Sequence, residues 1–335
     1  MIIGGLESKK GAVVKGYLHG GELACGSEVR IPLAIIQGEQ DGPTLWLGST
    51  IHGDELNGIY VCRQLIDEVD PKKLKGTLVV TPLLNPTAFQ FRQKFTGIDQ
   101  LDADQQFPGN PNGWFSERFA YTLFQEMKAH ANYLICLHTL GPYYDAVPYA
   151  IYKKLANCKP EVNEMAKKMA LSFGLKATCA VDLSNVGDEL PGAINRNMDV
   201  NCLLNGIPAI MAECGSGGCF QPENIDLAKN GVRNVMSLLG MVDDPIKYLR
   251  TDRYVVTKRK FPTCTRGGLF VPFVKAGEVL EPGTPVGKVF NGLEDLEVIK
   301  TDCTWLPMGI RNNPAVDTGE IIGAIALEWE PVKDD

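Results

Sequence analysis

Through the first 215 residues, short apolar or alternating runs bounded by Gly, Pro, Asn and Asp recur. They predict β-strands at residues 11–17, 29–36, 44–47, 77–84, 133–137, 177–181 and 209–212. Between several of these runs the apolar positions return every three or four residues. Residues 58–69 carry Ile59, Cys62, Leu65 and Ile66, and residues 116–129 carry Phe119, Ala120, Leu123 and Met127. Residues 160–173 and 222–239 repeat the pattern, so four amphipathic helices are predicted. Strand and helix alternating in this way predict an α/β fold, a sheet with helices on its faces. In such folds the loops at the C-terminal ends of the strands are where a site is expected.

The pattern changes near Asp243-Asp244-Pro245. From Lys247 onward short strands and turns follow one another, punctuated by Gly267-Gly268, Gly277, Pro282-Gly283, Gly287 and Gly319, and no helical period survives. The division expected is an α/β domain over residues 1–245 and a smaller all-β domain over 246–335.

Composition narrows the class. The 335 residues are 44% hydrophobic and 22% charged, an ordinary globular mix that excludes disordered and fibrous chains. The balance of 33 Lys+Arg against 40 Asp+Glu, without a basic run, argues against nucleic acid as a partner. No run approaches the roughly 18 apolar residues of a membrane span, and Met-Ile-Ile-Gly-Gly at the N-terminus lacks the pattern of a secretion signal. A cytoplasmic protein with no membrane partner is expected, and homo-oligomerisation stays open. Ten cysteines are scattered singly with no Cys-x-x-Cys pair, which reads as reduced thiols and mostly small buried hydrophobes.

Four histidines are present, and two sit beside other candidate ligands. His52 and Glu55 follow the run Leu45-Trp46-Leu47-Gly48, so they fall in a loop at a strand's end, three residues apart. His138 closes the run Leu134-Ile135-Cys136-Leu137. Two imidazoles and a carboxylate, with a fourth position for water, suit catalytic zinc. His-x-x-Glu by itself is common and fits a capped surface loop, with His138 an unrelated core histidine, better than it fits a metal site. Glu213 ends the apolar run Met211-Ala212 and precedes Gly215, Gly217 and Gly218. Packing explains a carboxylate there poorly, whereas a general base for metal-activated water would suit it. Asn85-Pro86 and the polar loop from Asp102 through Asp104 and Gln105 to Phe107-Pro108-Gly109 can line a pocket, or remain solvated.

In chain order, His-x-x-Glu, Asn-Pro, the Asp102 loop closing on Phe-Pro-Gly, Leu-His-Thr and Glu-x-Gly-x-Gly resemble the succinylglutamate desuccinylase/aspartoacylase family. That family is a branch of the zinc carboxypeptidase-like hydrolases, and the resemblance runs from about residue 40 to 325. It implies a mixed sheet flanked by helices, followed by a β-domain of barrel-sandwich shape. By the same resemblance His52, Glu55 and His138 hold one Zn2+ per chain, Glu213 is the catalytic base, and Asp102 orients a ligand histidine. Arg92 falls near the family's arginine that polarises the scissile carbonyl. The family's Asn-Arg, which grips a substrate carboxylate, falls on Asp104-Gln105; Arg196 is another candidate for that grip, and Tyr143 for a pocket wall. Cys136 stands two residues before His138, where the family often has Asp. The function implied is a zinc amidohydrolase acting on a small N-acyl substrate, neutral or amine-bearing because Gln105 cannot fork onto a carboxylate. A metallocarboxypeptidase and a catalytically silent zinc-binding homologue are the alternatives.

Overall fold

The computed structural model describes residues 1–183 and 194–332. A small hairpin (β1, Ile2–Ile3; β2, Leu6–Glu7) precedes two long antiparallel strands, β3 (Ala12–Glu22) and β4 (Glu28–Gln37). Next come β5 (Gln40–Ser49), α1 (Asn57–Glu68), β6 (Lys75–Thr81), α2 (Pro86–Phe91), α3 (Phe115–His130) and β7 (Tyr133–His138). They are followed by β8 (Tyr144–Ala146), β9 (Tyr149–Lys154), α4 (Pro160–Phe173), β10 (Ala177–Asp182), α5 (Met198–Leu204), β11 (Ala209–Glu213) and α6 (Pro222–Leu238). The C-terminal part contributes β12 (Tyr254–Lys260), β13 (Gly268–Pro272), β14 (Pro285–Phe290), β15 (Asp295–Lys300), β16 (Leu306–Arg311), β17 (Ala315–Val316) and β18 (Gly323–Pro331).

Among the described residues twelve strands form one mixed sheet in the order β3-β4-β6-β5-β7-β11-β9-β10-β12-β18-β16-β8. Its centre consists of β6, β5, β7 and β11, all parallel. These strands are covered on both faces, so they read as unbroken apolar runs such as Leu45-Trp46-Leu47 and Leu78-Val79-Val80, all inaccessible to solvent. The helices bury one stripe each; α1 turns Val61, Cys62, Leu65 and Ile66 inward, at the three-to-four spacing that predicts it. The run expected over 77–84 stops at Thr81. Pro82 has no N–H to donate to a ladder, and the chain turns back so that Leu84 and Asn85 donate to the carbonyls of Ser49 and Thr50.

Strand β9 carries no apolar run long enough to announce it. It slots between β11 and β10, antiparallel to the first and parallel to the second, which makes the sheet mixed. Three C-terminal strands, β12, β18 and β16, extend this same sheet, and β8 pairs with β16 at its edge. A separate antiparallel sheet, β15-β14-β13-β17, has its own cluster around Phe270, Val286, Val289 and Trp305. Among the described residues no helix is long and apolar enough to cross a membrane.

Candidate active site

Strands β5, β7 and β11 are parallel neighbours and stop together. Ser49 lies opposite Leu137, and Glu213 lies opposite His138. This register sets His138, Glu213 and the loop after β5 on one rim. Thr50 bends that loop off the strand with a left-handed φ of 56°, and its hydroxyl donates to the Glu55 carbonyl at 2.9 Å. Gly53 lets the loop lie on α2: a Cβ there would sit 2.0 Å from the carbonyl carbon of Ala88. His52 and Glu55 are thereby turned inward and both are buried.

The donors converge. His52 Nδ1 lies 2.8 Å from Glu55 Oε1, and His138 Nδ1 lies 3.0 Å from Glu55 Oε2. One ligand atom from each residue falls within 4.8 Å of the others, a spacing that can hold a metal ion. The far nitrogens have partners of their own: His52 Nε2 meets Asp102 Oδ1 at 3.1 Å, and His138 Nε2 meets Cys136 Sγ at 3.1 Å. Such outer contacts fix the rings so that both Nδ1 atoms face inward. Burial opposes charge on His52, but the Glu55 and Asp102 carboxylates outweigh it and hold its pKa up at about 9. Burial likewise opposes charge on Glu55, and the two imidazoles overcome it, bringing its pKa down to about 2. Excess negative charge at a buried cluster of N and O donors is the environment a divalent cation neutralises.

Glu213 faces the same space. Its Oε2 is buried without a hydrogen-bond partner among the described residues. Burial first, and then the neighbouring Glu55, push its pKa up to about 7. A carboxylate of that basicity can take and return a proton near neutral pH. The cavity in front of it has a volume of about 400 Å³.

The remaining candidates divide. Asp102, Asp104, Gln105 and Tyr143 line this cavity. Asn85 does not: it caps α2, accepting from Ala88 N at 3.0 Å and Thr87 Oγ1 at 2.8 Å while donating to Thr96 Oγ1. Its oxygen is thus engaged in holding the helix on which Gly53 rests, and its nitrogen in tying the start of that helix to Thr96. Arg92 closes α2 with φ 54° and lines a neighbouring depression, which the first cavity meets at Asp54 and Pro142. The residue that reaches the site is Lys94, whose Nζ lies 3.2 Å from Asp102 Oδ2. Arg196 lies outside the lining, with Nη2 donating to Gln106 Oε1 at 3.2 Å and 3.7 Å from Glu117 Oε1.

The sequence reading missed several wall residues. Tyr149, Ile151 and Lys153 project from one face of β9, and Lys153 is buried against Asp199 at 2.7 Å. Arg259, Phe261, Ile321, Gly323 and Ala324 bring the C-terminal part into the wall. The i, i+2, i+4 spacing of Tyr149, Ile151 and Lys153 is a strand signal, legible only once β9 is recognised. Nothing in the local sequence indicates that Arg259 faces a site more than 40 residues away.

Comparison with known proteins follows the same lines. The family model for the succinylglutamate desuccinylase/aspartoacylase catalytic domain matches residues 41–239. The N-alpha-acetyl-L-2,4-diaminobutyric acid deacetylase of Halomonas elongata is 25% identical over 226 residues, covering 68% of this chain and 63% of that protein, so less than two thirds of that relative's length is matched. The crystal structure of succinylglutamate desuccinylase/aspartoacylase from Rhodobacter sphaeroides superposes with a TM-score of 0.83 at 21% identity, covering 96% of both chains. The product-bound ectoine utilization protein EutE (DoeB) from Ruegeria pomeroyi gives 0.82 at 20% identity, covering 93% of this chain and 94% of the other. At these identities the two structures speak for the fold.

Proposed function

We propose, from the premise that the chain belongs to the succinylglutamate desuccinylase/aspartoacylase family, that it is a zinc-dependent amidohydrolase removing an acyl group from the nitrogen of a small substrate. The observation that carries this reading is the convergence of His52, Glu55 and His138 within one cavity that Glu213 also lines, its Oε2 without a hydrogen-bond partner among the described residues. Two imidazoles and one carboxylate match catalytic zinc in ligand type and number. The relative from Halomonas elongata, named as a deacetylase of an N-acetylated diamino acid, supports the reaction class.

Bound zinc would supply Lewis acidity, polarising the amide carbonyl and bringing water's pKa toward about 7. The chain's own groups do the rest. Glu213, held near neutrality in its buried setting, takes the proton of the attacking water and delivers it to the departing nitrogen. Asp102 and Cys136 keep the two imidazoles aimed. Lys94 sits against Asp102 and offsets its charge, burial opposing and His52 and Lys94 together lowering that carboxyl's pKa. Tyr149, Ile151 and Met211 give the cavity an apolar side that excludes bulk water. Release of amine from N-acyl amines, lost on chelation and restored by zinc, is the expected result. A zinc-replete protein that releases amine from no member of such a panel would refute the reading.

A further inference from the structure

The cavity contains a buried carboxylate that hydrolysis does not require. Asp104 is 2% exposed and lines the cavity with the ligand group. Its Oδ2 accepts from Asn197 Nδ2 at 2.8 Å and its Oδ1 from the Met198 backbone N–H at 3.2 Å. Both donors are neutral. Lys94, Lys153 and Arg259 share the wall, yet among the described residues none of them forms an ion pair with Asp104; the imidazoles of His138 and His52 act on it favourably from a distance, their own ion pairs being with Glu55 and Asp102. Lys94 is committed to Asp102, and Lys153 to Asp199. A buried charge is normally paired.

Beside it lies a second unmet group. Asn197 Oδ1 is buried without a hydrogen-bond partner among the described residues, and Asn197 also lines the cavity. The amide cannot simply be turned over, because that would set its oxygen against the Asp104 carboxylate. Capping alone therefore does not account for the pair: it uses the amide nitrogen and leaves the oxygen of a cavity-lining residue without a partner among the described residues. Asp104 is also tied to the ligand group, since its backbone N–H donates to the same Asp102 Oδ1 that holds His52. The subsite and the reacting end are thus fixed on one turn of chain.

A ligand group that carries positive charge and several N–H donors satisfies both needs; a hydroxyl would leave the charge unmatched, and a carboxylate would be repelled. We propose that Asp104 and Asn197 Oδ1 form a subsite for a primary ammonium, so that the substrate is an N-acyl diamine: an acyl amide on one nitrogen and a free ammonium on another. This rests on the hydrolase reading for the amide end, but the binding it asserts can be measured without turnover.

The test uses the full chain loaded with zinc and carrying Glu213→Gln, so that ligands persist. Probes are the N-acetyl diamines from N-acetylethylenediamine to N-acetylcadaverine, each against the N-alkylacetamide that has methyl in place of the ammonium, followed by calorimetric titration. At least one ammonium probe should bind about tenfold or more tightly than its isostere, a difference of about 1.4 kcal/mol. Adding Asp104→Asn, which keeps the shape and an acceptor for Met198, should bring that ratio to near one. Asn197→Ala should reduce it partially, which guards against an Asp104 variant that fails to fold. Equal affinities for every pair, or a preference that survives Asp104→Asn, would overturn the subsite. A preference that is present and lost on Asp104→Asn, in a protein whose unmutated form cleaves none of the probes, would uphold the subsite and overturn the hydrolase reading.

Discussion

The Cys136 thiol lies 3.1 Å from Nε2 of His138, on the side of the ring away from Glu55. Burial, the largest influence, pushes the thiol's pKa up, so the sulfur is a neutral and weak acceptor. It occupies the place of the partner that orients a ligand imidazole and raises its basicity. Cys136→Ala should therefore weaken zinc binding by about tenfold, and Cys136→Asp should strengthen it, provided the carboxylate fits the thiol's space. Competition with a chromophoric chelator measures both. Unchanged affinity in both variants would mean that the contact is packing only.

His52→Ala and His138→Ala should each abolish stoichiometric zinc, because two protein ligands forfeit much of the affinity of three. The protonation state adds a pH signature. With its pKa raised to about 9, His52 carries a proton at neutral pH in the metal-free chain, and zinc must displace it. Apparent affinity should rise as pH rises toward 9, with proton release on binding. Elemental analysis and calorimetry in buffers of different ionisation enthalpy check the two statements.

Glu213→Gln should keep the fold and the metal and lower turnover by roughly two to four orders of magnitude. In the unsubstituted chain the residue works as a carboxylate, so activity should fall as pH drops through its pKa of about 7 and protonation removes the base. A neighbouring cation stabilises the carboxylate, so zinc should move this limb to lower pH. A rate profile with and without the substitution decides; loss of metal in Glu213→Gln would instead make it a ligand.

Gly53→Ala should cost stability and metal together. The added Cβ would press on the Ala88 carbonyl carbon at 2.0 Å, and only backbone movement relieves it. Overpacking of this kind costs about 1–3 kcal/mol, and the loop that shifts carries His52 and Glu55. Thermal unfolding with and without zinc is the measurement. A full-strength metal site in this variant would show that the loop does not depend on α2.

Lys153→Met should destabilise the fold by about 3–5 kcal/mol by stranding the buried Asp199 carboxylate. The pair is 2.7 Å apart and almost wholly inaccessible. Lys153→Met with Asp199→Leu should recover much of that loss, since an apolar pair of similar volume removes both desolvation costs. Denaturant melts of the single and double variants give the comparison.

Much of this architecture was legible along the chain because its signals are local. The central strands are apolar on both faces, so Leu45-Trp46-Leu47 and Leu134-Ile135-Cys136-Leu137 stand out without any knowledge of their neighbours. The four long helices announce themselves through one buried stripe each. His52, Glu55, His138 and Glu213 all fall at strand ends, positions that the end of an apolar run marks. Strand β9 carries no such mark, because Tyr149 and Ile151 are followed on the same face by the charged Lys153 and only Ala150 and Tyr152 lie between them, so no unbroken apolar run forms.

What the sequence by itself determined is therefore the set of elements, the family resemblance and the residues that could serve as ligands and base. Only the tertiary structure decided which of the others meet. It sent Asn85 to cap a helix, held Arg92 in a neighbouring depression and brought Lys94 to Asp102. It also joined Arg259 from β12 to Lys153 from β9 on one wall. The physical reason is the range of each interaction. Apolar periodicity and capping act over a few residues and leave their mark in the local sequence. A side chain's choice of partner depends on sheet order and register, which bring residues far apart in the chain to within a few ångströms.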